Sequence, residues 1–271
     1  MPHTSGATSG TSPGMAYVEI GVSDAERSLD FYRGVLGLRP VDAAPEPPAA
    51  DTHWLSAGAA LVKLVVRADE PAAGGPLGGW LGDDLQRGLR HFGLKVGDVH
   101  RQAERLRSAG VRFTLEPVAA VGDVNLAFFT DPDGTLLEII DGHLTYHEVA
   151  TPELAARERR SAEARPATAG PAFDHVAITA AELDTTLAYY RDQLGYPVIG
   201  RLVHDQDPRG FVIDYLQAGD AVLEVFSFTE ATRPAPDPAL DRRGLRALGL
   251  AAETGRDIDP DGVPLRQVAV R

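Results

Sequence analysis

The chain has 271 residues, 44% of them hydrophobic and 24% charged, an ordinary globular make-up with room for one large core or two of about 130 residues each. With 39 acidic residues against 26 basic ones the net charge is -13, so neither nucleic acid nor an anionic membrane is expected as a partner. There is no cysteine. Disulfides, thiolate metal sites and thiol nucleophiles are therefore excluded, and any metal must be held by His, Asp or Glu, a donor set suited to Zn, Ni, Co, Mn or Fe(II).

Residues 1–14 are Ser/Thr/Gly-rich without an apolar signal core and read as a disordered tail. No apolar run approaches the roughly 20 residues of a membrane span, so a cytoplasmic location is the expectation. Tyr17-Val18-Glu19-Ile20 reads as a strand. A helix is expected from Asp24, with Ala25, Leu29, Tyr32 and Leu36 on one face and a left-handed cap at Gly37. Leu61 to Val66 then closes the unit as a strand. A Gly-rich loop, 74–82, holds Trp80 and is either a lid or a connector.

A second unit starts at His91, which opens an apolar strand. Asp98 lies seven residues on, where a helix with Val99, Ala103 and Leu106 should start and end at Gly110. The turn Asp131-Pro132-Asp133-Gly134 feeds the strand Thr135 to Ile140 and is expected to do nothing more. In that strand Leu136, Glu138 and Ile140 share one face, and Leu137 and Ile139 the other. A carboxylate in so apolar a strand needs a partner, because an unpaired buried charge is costly. Thr151-Pro152-Glu153 then opens a charged, Ala-rich helix within a linker, 143–170.

His175 begins a third unit, with Glu182 seven residues on and Leu183, Leu187, Tyr190 and Leu194 repeating the first helix face up to Gly195. Ala221 to Phe226 closes it, with Glu224 between Leu223 and Val225. A fourth unit is truncated. Gly244 to Leu250 matches Gly88 to Leu94, with Ala247 where His91 stands, and Asp259-Pro260-Asp261-Gly262 repeats the earlier turn. The turn follows after 15 positions rather than 43, so the helix and middle strands of this unit are missing. The pattern gives an α+β fold of four βαβββ-type modules, two in residues 15–142 and two in residues 171–271.

Strand-helix-three-strand modules with His on the first strand and Glu on the last resemble the vicinal oxygen chelate superfamily, which includes glyoxalases, bleomycin-resistance proteins and extradiol dioxygenases. Ser28 to Gly37 (SLDFYRGVLG) and Phe128 to Glu138 (FFTDPDGTLLE) carry the resemblance most clearly. It extends over Ala16 to Asp141 and Phe173 to Phe228, and in outline over Gly244 to Arg271. It implies paired modules forming cup-shaped sheets, with metal ligands projecting from the first and last strand of each module. Those positions are Tyr17 and Lys63, His91 and Glu138, His175 and Glu224, and Ala247 and Arg266. Pairing in chain order would leave each cup half a site. Pairing the second module with the third would bring His91, Glu138, His175 and Glu224 together and confine the unsuitable residues to the other cup. So clean a sorting favours the exchanged pairing.

The resemblance further implies one divalent metal ion and a small-molecule substrate with adjacent oxygens. The expected reaction is that of a glyoxalase-type isomerase, epimerase or lyase passing through a metal-stabilised enolate, with Glu138 or Glu224 as the base. An iron dioxygenase of extradiol type and a non-catalytic small-molecule or drug-binding protein are the alternatives. No thiol-conjugate site is identifiable, and monomer and homodimer are both open. His53, His100, His143, His147 and His204 are expected in surface or loop roles, with a place in a pocket lining as the alternative for His204, and Tyr189 and Tyr190 in the core of a helix. Trp54 and Trp80 are candidates for a pocket wall.

Overall fold

A computed structural model describes residues 14–41, 44–47, 49–67, 85–237 and 242–268. The tail up to residue 13 and the Gly-rich loop with Trp80 lie outside the described residues. The first module consists of β1 (Met15–Val22), α1 (Ala25–Leu29), β2 (Arg39–Pro40), β3 (Thr52–Ser56) and β4 (Leu61–Val66). The second consists of β5 (Gly88–Lys95), α2 (Val99–Ser108), β6 (Phe113–Ala119), β7 (Asn125–Thr130) and β8 (Leu136–Ile140). The short strand β9 (Glu148–Val149) and helix α3 (Pro152–Glu163) link the halves. The third module has β10 (Ala172–Thr179), α4 (Leu183–Leu187), β11 (Val198–His204), β12 (Phe211–Ala218) and β13 (Ala221–Phe228). Of the fourth, β14 (Gly244–Leu250) and β15 (Leu265–Gln267) are present among the described residues.

The strands form two mixed sheets, in the orders β15-β14-β1-β4-β3-β2 and β6-β7-β8-β5-β10-β13-β12-β11-β9. The second module thus joins the third through the antiparallel pair β5·β10, and the first joins the fourth through β1·β14. Within each full module the first and last strands run parallel and adjacent. Register then decides which side chains share a face. Across the larger sheet one row runs Glu138, Gly93, His175, and the neighbouring row His91, Ala177, Glu224. Across the smaller sheet the same rows read Tyr17, Gly249, Arg266 and Lys63, Glu19, Ala247.

Strand parity behaves as the alternation requires: Leu137 and Ile139 are fully buried in the main core, while Glu138 turns to the opposite face. The helices depart from expectation. In the first and third modules the α-helix covers only its opening residues and continues as π-helical turns, Asp30–Val35 and Ala188–Gln193. Leu36 N–H bonds to Phe31 C=O and Leu194 N–H to Tyr189 C=O, five residues back. This extra residue per turn buries Phe31 beside Tyr32, and Tyr189 beside Tyr190, where a regular helix would bury one of each pair. Gly37 and Gly195 end these helices with positive φ, 83° and 74°, which glycine adopts without a Cβ clash.

The repeated Asp-Pro-Asp-Gly segments are more than turns. Asp131 accepts from the buried Tyr32 hydroxyl at 2.9 Å, and Asp133 accepts from Ser23 N–H at 2.9 Å. Asp259 and Asp261 do the same for Tyr190 at 2.7 Å and Ala181 N–H at 2.6 Å. Modules adjacent in the chain are therefore clamped turn to helix, while the exchanged modules share a sheet. A Tyr and an Asp 99 residues apart give no periodic signal, so a clamp of this kind is invisible to local pattern reading.

Candidate metal centre

His91 and His175 stand on the two central strands β5 and β10, and Glu138 and Glu224 on the flanking strands β8 and β13. All four side chains converge. Glu138 Oε2 lies 3.0 Å from His91 Nε2 and 3.2 Å from His175 Nε2, and the two Nε2 atoms are 3.2 Å apart. Glu224 Oε2 is 3.8 Å from His91 Nε2 and 3.7 Å from His175 Nε2. Gly93 makes the approach possible: a Cβ there would sit 2.1 Å from the His175 ring. Asp174 Oδ2 lies 3.0 Å from His175 Nδ1, which turns Nε2 of that ring toward the cluster.

The cluster is buried, and its members shift one another's protonation. His91 and His175 are 2% and 1% exposed, and both glutamates are buried. Burial drives His91 down to about 4, although its contact with Glu138 opposes the fall. Burial also works against a charged His175, but Glu224, Glu138 and Asp174 outweigh it and hold that ring protonated well above the usual histidine range. Burial opposes ionisation of Glu138 too, yet the two imidazoles bring it down to about 2. Burial, with Glu138 and Asp174 nearby, pushes Glu224 up to about 8. Near neutral pH, protons on His175 and Glu224 thus relieve the crowding of the two carboxylates.

The donor set fits a divalent ion. Bonds of about 2.1 Å place neighbouring donors about 3.0 Å apart on an octahedral ion and about 3.4 Å apart on a tetrahedral one. The separations among His91, Glu138 and His175 fall in that range. The centre forms the floor of a cavity of about 590 Å³ that reaches His91, Glu138 and Glu224.

The family model for the glyoxalase/bleomycin resistance protein/dioxygenase superfamily matches residues 14–139 and 172–261. The chain belongs to this superfamily. A lactoylglutathione lyase of Haemophilus influenzae is 32% identical over 129 residues, which is 46% of this chain and 89% of that protein. A lactoylglutathione lyase of Arabidopsis thaliana is 25% identical over 184 residues, 67% of this chain and 54% of that protein, so the chain spans about half of that relative's length. The crystal structure of glyoxalase I from Zea mays superposes with a TM-score of 0.64 at 18% identity, covering 95% of this chain and 92% of that one. At that identity the likeness concerns the fold.

Within the superfamily's two cups, the four remaining positions lie together on the smaller sheet. Tyr17 is buried there, with Trp54 edge-on at 4.9 Å. Trp54 thus packs in this cup and does not wall the cavity beside the histidines. Lys63 Nζ lies 2.9 Å from Glu19 and 2.6 Å from Glu46, Glu46 also accepts from the Tyr17 hydroxyl, and Arg246 Nε is 3.0 Å from Glu19. Glu19, Glu46 and Asp174 are absent from the sequence-based candidates. Glu19 shares strand parity with Tyr17 and could have been found that way. Glu46 comes from a loop and carries no periodic signal. His204 takes the pocket-lining alternative: it lines the cavity, stacked on Phe211 at 4.4 Å. Tyr189 and Tyr190 are core residues as expected, and no helix of the described residues is long and apolar enough to cross a membrane.

Proposed function

We propose that the chain is a divalent-metal-dependent isomerase, epimerase or lyase of glyoxalase type, with His91, Glu138, His175 and Glu224 as the metal ligands. The observation that carries this reading is the convergence of two imidazoles and two carboxylates at the floor of a cavity. The lactoylglutathione lyase relatives support it at the level of reaction class. Bound there, a divalent ion would act as a Lewis acid on two adjacent substrate oxygens.

The two carboxylates differ in how tightly they are held. Glu138 touches both rings at 3.0 and 3.2 Å and is the fixed ligand. Glu224 stands off at 3.7–3.8 Å, lines the cavity, and is the group with room to swing and take a proton from the carbon beside a substrate carbonyl. Asp174 holds the His175 ring in place throughout.

Solvent deuterium exchange into a 2-oxo or thioester substrate tests the assignment. Glu224→Gln is expected to lower the exchange rate by about 10²–10⁴-fold while metal content stays near one ion per chain. Unchanged exchange in Glu224→Gln would remove Glu224 as the base.

A further inference from the structure

The cavity above the histidines has walls of a distinct chemistry. One wall is a shelf of stacked rings: His204 on Phe211 at 4.4 Å and 16°, Phe211 on Phe226 at 5.9 Å and 29°. Phe128 faces it from β7, edge-on to His91 at 5.0 Å. Leu126, Leu202 and Ile213 also line the cavity, as does Leu115, which is 42% exposed. The volume of about 590 Å³ matches the pocket of a mid-sized organic molecule.

Among the described residues lining this cavity, Arg90 is the one Lys or Arg. Its guanidinium is already engaged, lying over the Phe226 ring at 4.1 Å and donating to Thr179 Oγ1 at 3.1 Å. Of the segments outside the described residues, 1–13, 68–84 and 238–241 contain neither Lys nor Arg, and 269–271 holds one, Arg271. A glutathione adduct carries two carboxylates and an ammonium, and recognising it requires charged or strongly polar partners away from the metal. Apolar walls leave those groups desolvated and unpaired.

We infer that this site takes a substrate whose two adjacent oxygens are borne on a flat, apolar, aryl-type body, in place of the glutathione adducts after which the relatives are named. The inference rests on the metal-dependent reading above for the oxygens, and on the cavity walls alone for the body. His204, Phe211, Phe226 and Phe128 line the cavity and offer ring surface against which an aryl group can pack. Because the metal chelates the oxygens in any ligand of this class, discrimination arises at the walls.

Three probes test it: 4-fluorobenzohydroxamate, acetohydroxamate and S-methylglutathione, titrated into the full-length protein with and without one equivalent of Zn and followed by fluorine NMR and competition. In the Zn-loaded protein the aryl hydroxamate is expected to bind about 10–100-fold more tightly than acetohydroxamate, the gain from burying one ring. Phe211→Ala, and independently Leu115→Asn, should reduce that ratio severalfold while leaving acetohydroxamate affinity unchanged. Equal affinity for the two hydroxamates, or displacement of the aryl probe by S-methylglutathione at comparable concentration, would overturn the inference. If Zn strengthens neither hydroxamate, the metal reading fails, yet the metal-free arm still decides the cavity. Broadening of the aryl probe's fluorine signal there, lost in Phe211→Ala, supports the apolar body, and broadening that is absent or that acetohydroxamate reverses at comparable concentration refutes it.

Discussion

The two cups are built from the same strands in the same register, and they solve the same electrostatic problem in opposite ways. In the larger sheet, His91 faces Ala177, and His175 faces Gly93. In the smaller sheet Ala247 faces Glu19, and Tyr17 lies across from Gly249, which makes room for the ring as Gly93 does for His175. Where one cup gathers imidazoles and carboxylates, the other carries its own cation. Lys63 sits between Glu19 and Glu46, and Arg246 bonds Glu19 from the far side. Against the pull of burial, Lys63 and Arg246 hold Glu19 below the usual carboxylate range. A tethered ammonium thus supplies the charge balance of the smaller cup.

The sharpest way to break this comparison is to count metal. Protein purified without chelator should hold about one divalent ion per chain, and His91→Ala or His175→Ala should hold none, by elemental analysis. Lys63→Ala should leave uptake at the wild-type level; if it abolishes uptake, the assignment of the two cups is reversed. Uptake should weaken as pH falls, because the ion must displace the proton that the surrounding carboxylates keep on His175.

Stability should respond the other way round. Lys63 is buried, and its removal leaves Glu19 and the half-buried Glu46 facing one another without it. Lys63→Ala is expected to cost about 3–5 kcal/mol by chemical denaturation, near the lower end because Arg246 stays bonded to Glu19. Adding Glu19→Ala should recover part of that loss, so that the double variant is less destabilised than the sum of the singles. Strict additivity would mean that the pair is not coupled.

How much of this was legible in the sequence follows from what periodicity can carry. The four site positions lie on strands, where a period of two and a repeat offset fix both face and register, and the sorting of losses among the modules points to the exchanged pairing. Glu19 lies on such a strand as well, two residues from Tyr17, and parity alone could have found it. Other contributors have no period. Glu46 reaches the second cup from a loop, His204 stands at the end of β11, and Asp131 and Asp259 act through tyrosines far away in the chain. The π-helical turns insert one residue into an otherwise regular face, which shifts the buried stripe without changing composition.

The paired glycines sharpen the contrast on a smaller scale. A Cβ on Gly93 would lie 2.1 Å from the His175 ring, and a Cβ on Gly249 2.1 Å from the Tyr17 ring. In both Gly→Ala variants a packed ring must move, at a cost of about 1–3 kcal/mol. Their consequences should part: Gly93→Ala displaces a ligand and lowers metal affinity, whereas Gly249→Ala lowers only the melting temperature. Equal metal affinity in the two variants would show that His175 can shift without leaving the centre.

The smallest difference concerns how the equivalent helices α1 and α4 begin. Asp24 caps α1, accepting from Arg27 N–H at 2.7 Å, and Asp133 of the neighbouring module adds a bond to Ser23 N–H. At the equivalent place Glu182 makes no side-chain cap, and Asp261 of the truncated module accepts from both Ala181 N–H and the Thr186 hydroxyl. Asp24→Ala should therefore cost about 1 kcal/mol, and Glu182→Ala less than about 0.5 kcal/mol. Asp261 thus ties the residue before Glu182 and the Thr186 side chain to the turn of the fourth module, so the start of this helix is anchored to that turn although the module's helix and middle strands are missing. If Glu182→Ala proves as costly as Asp24→Ala, the turn is not what holds that helix end.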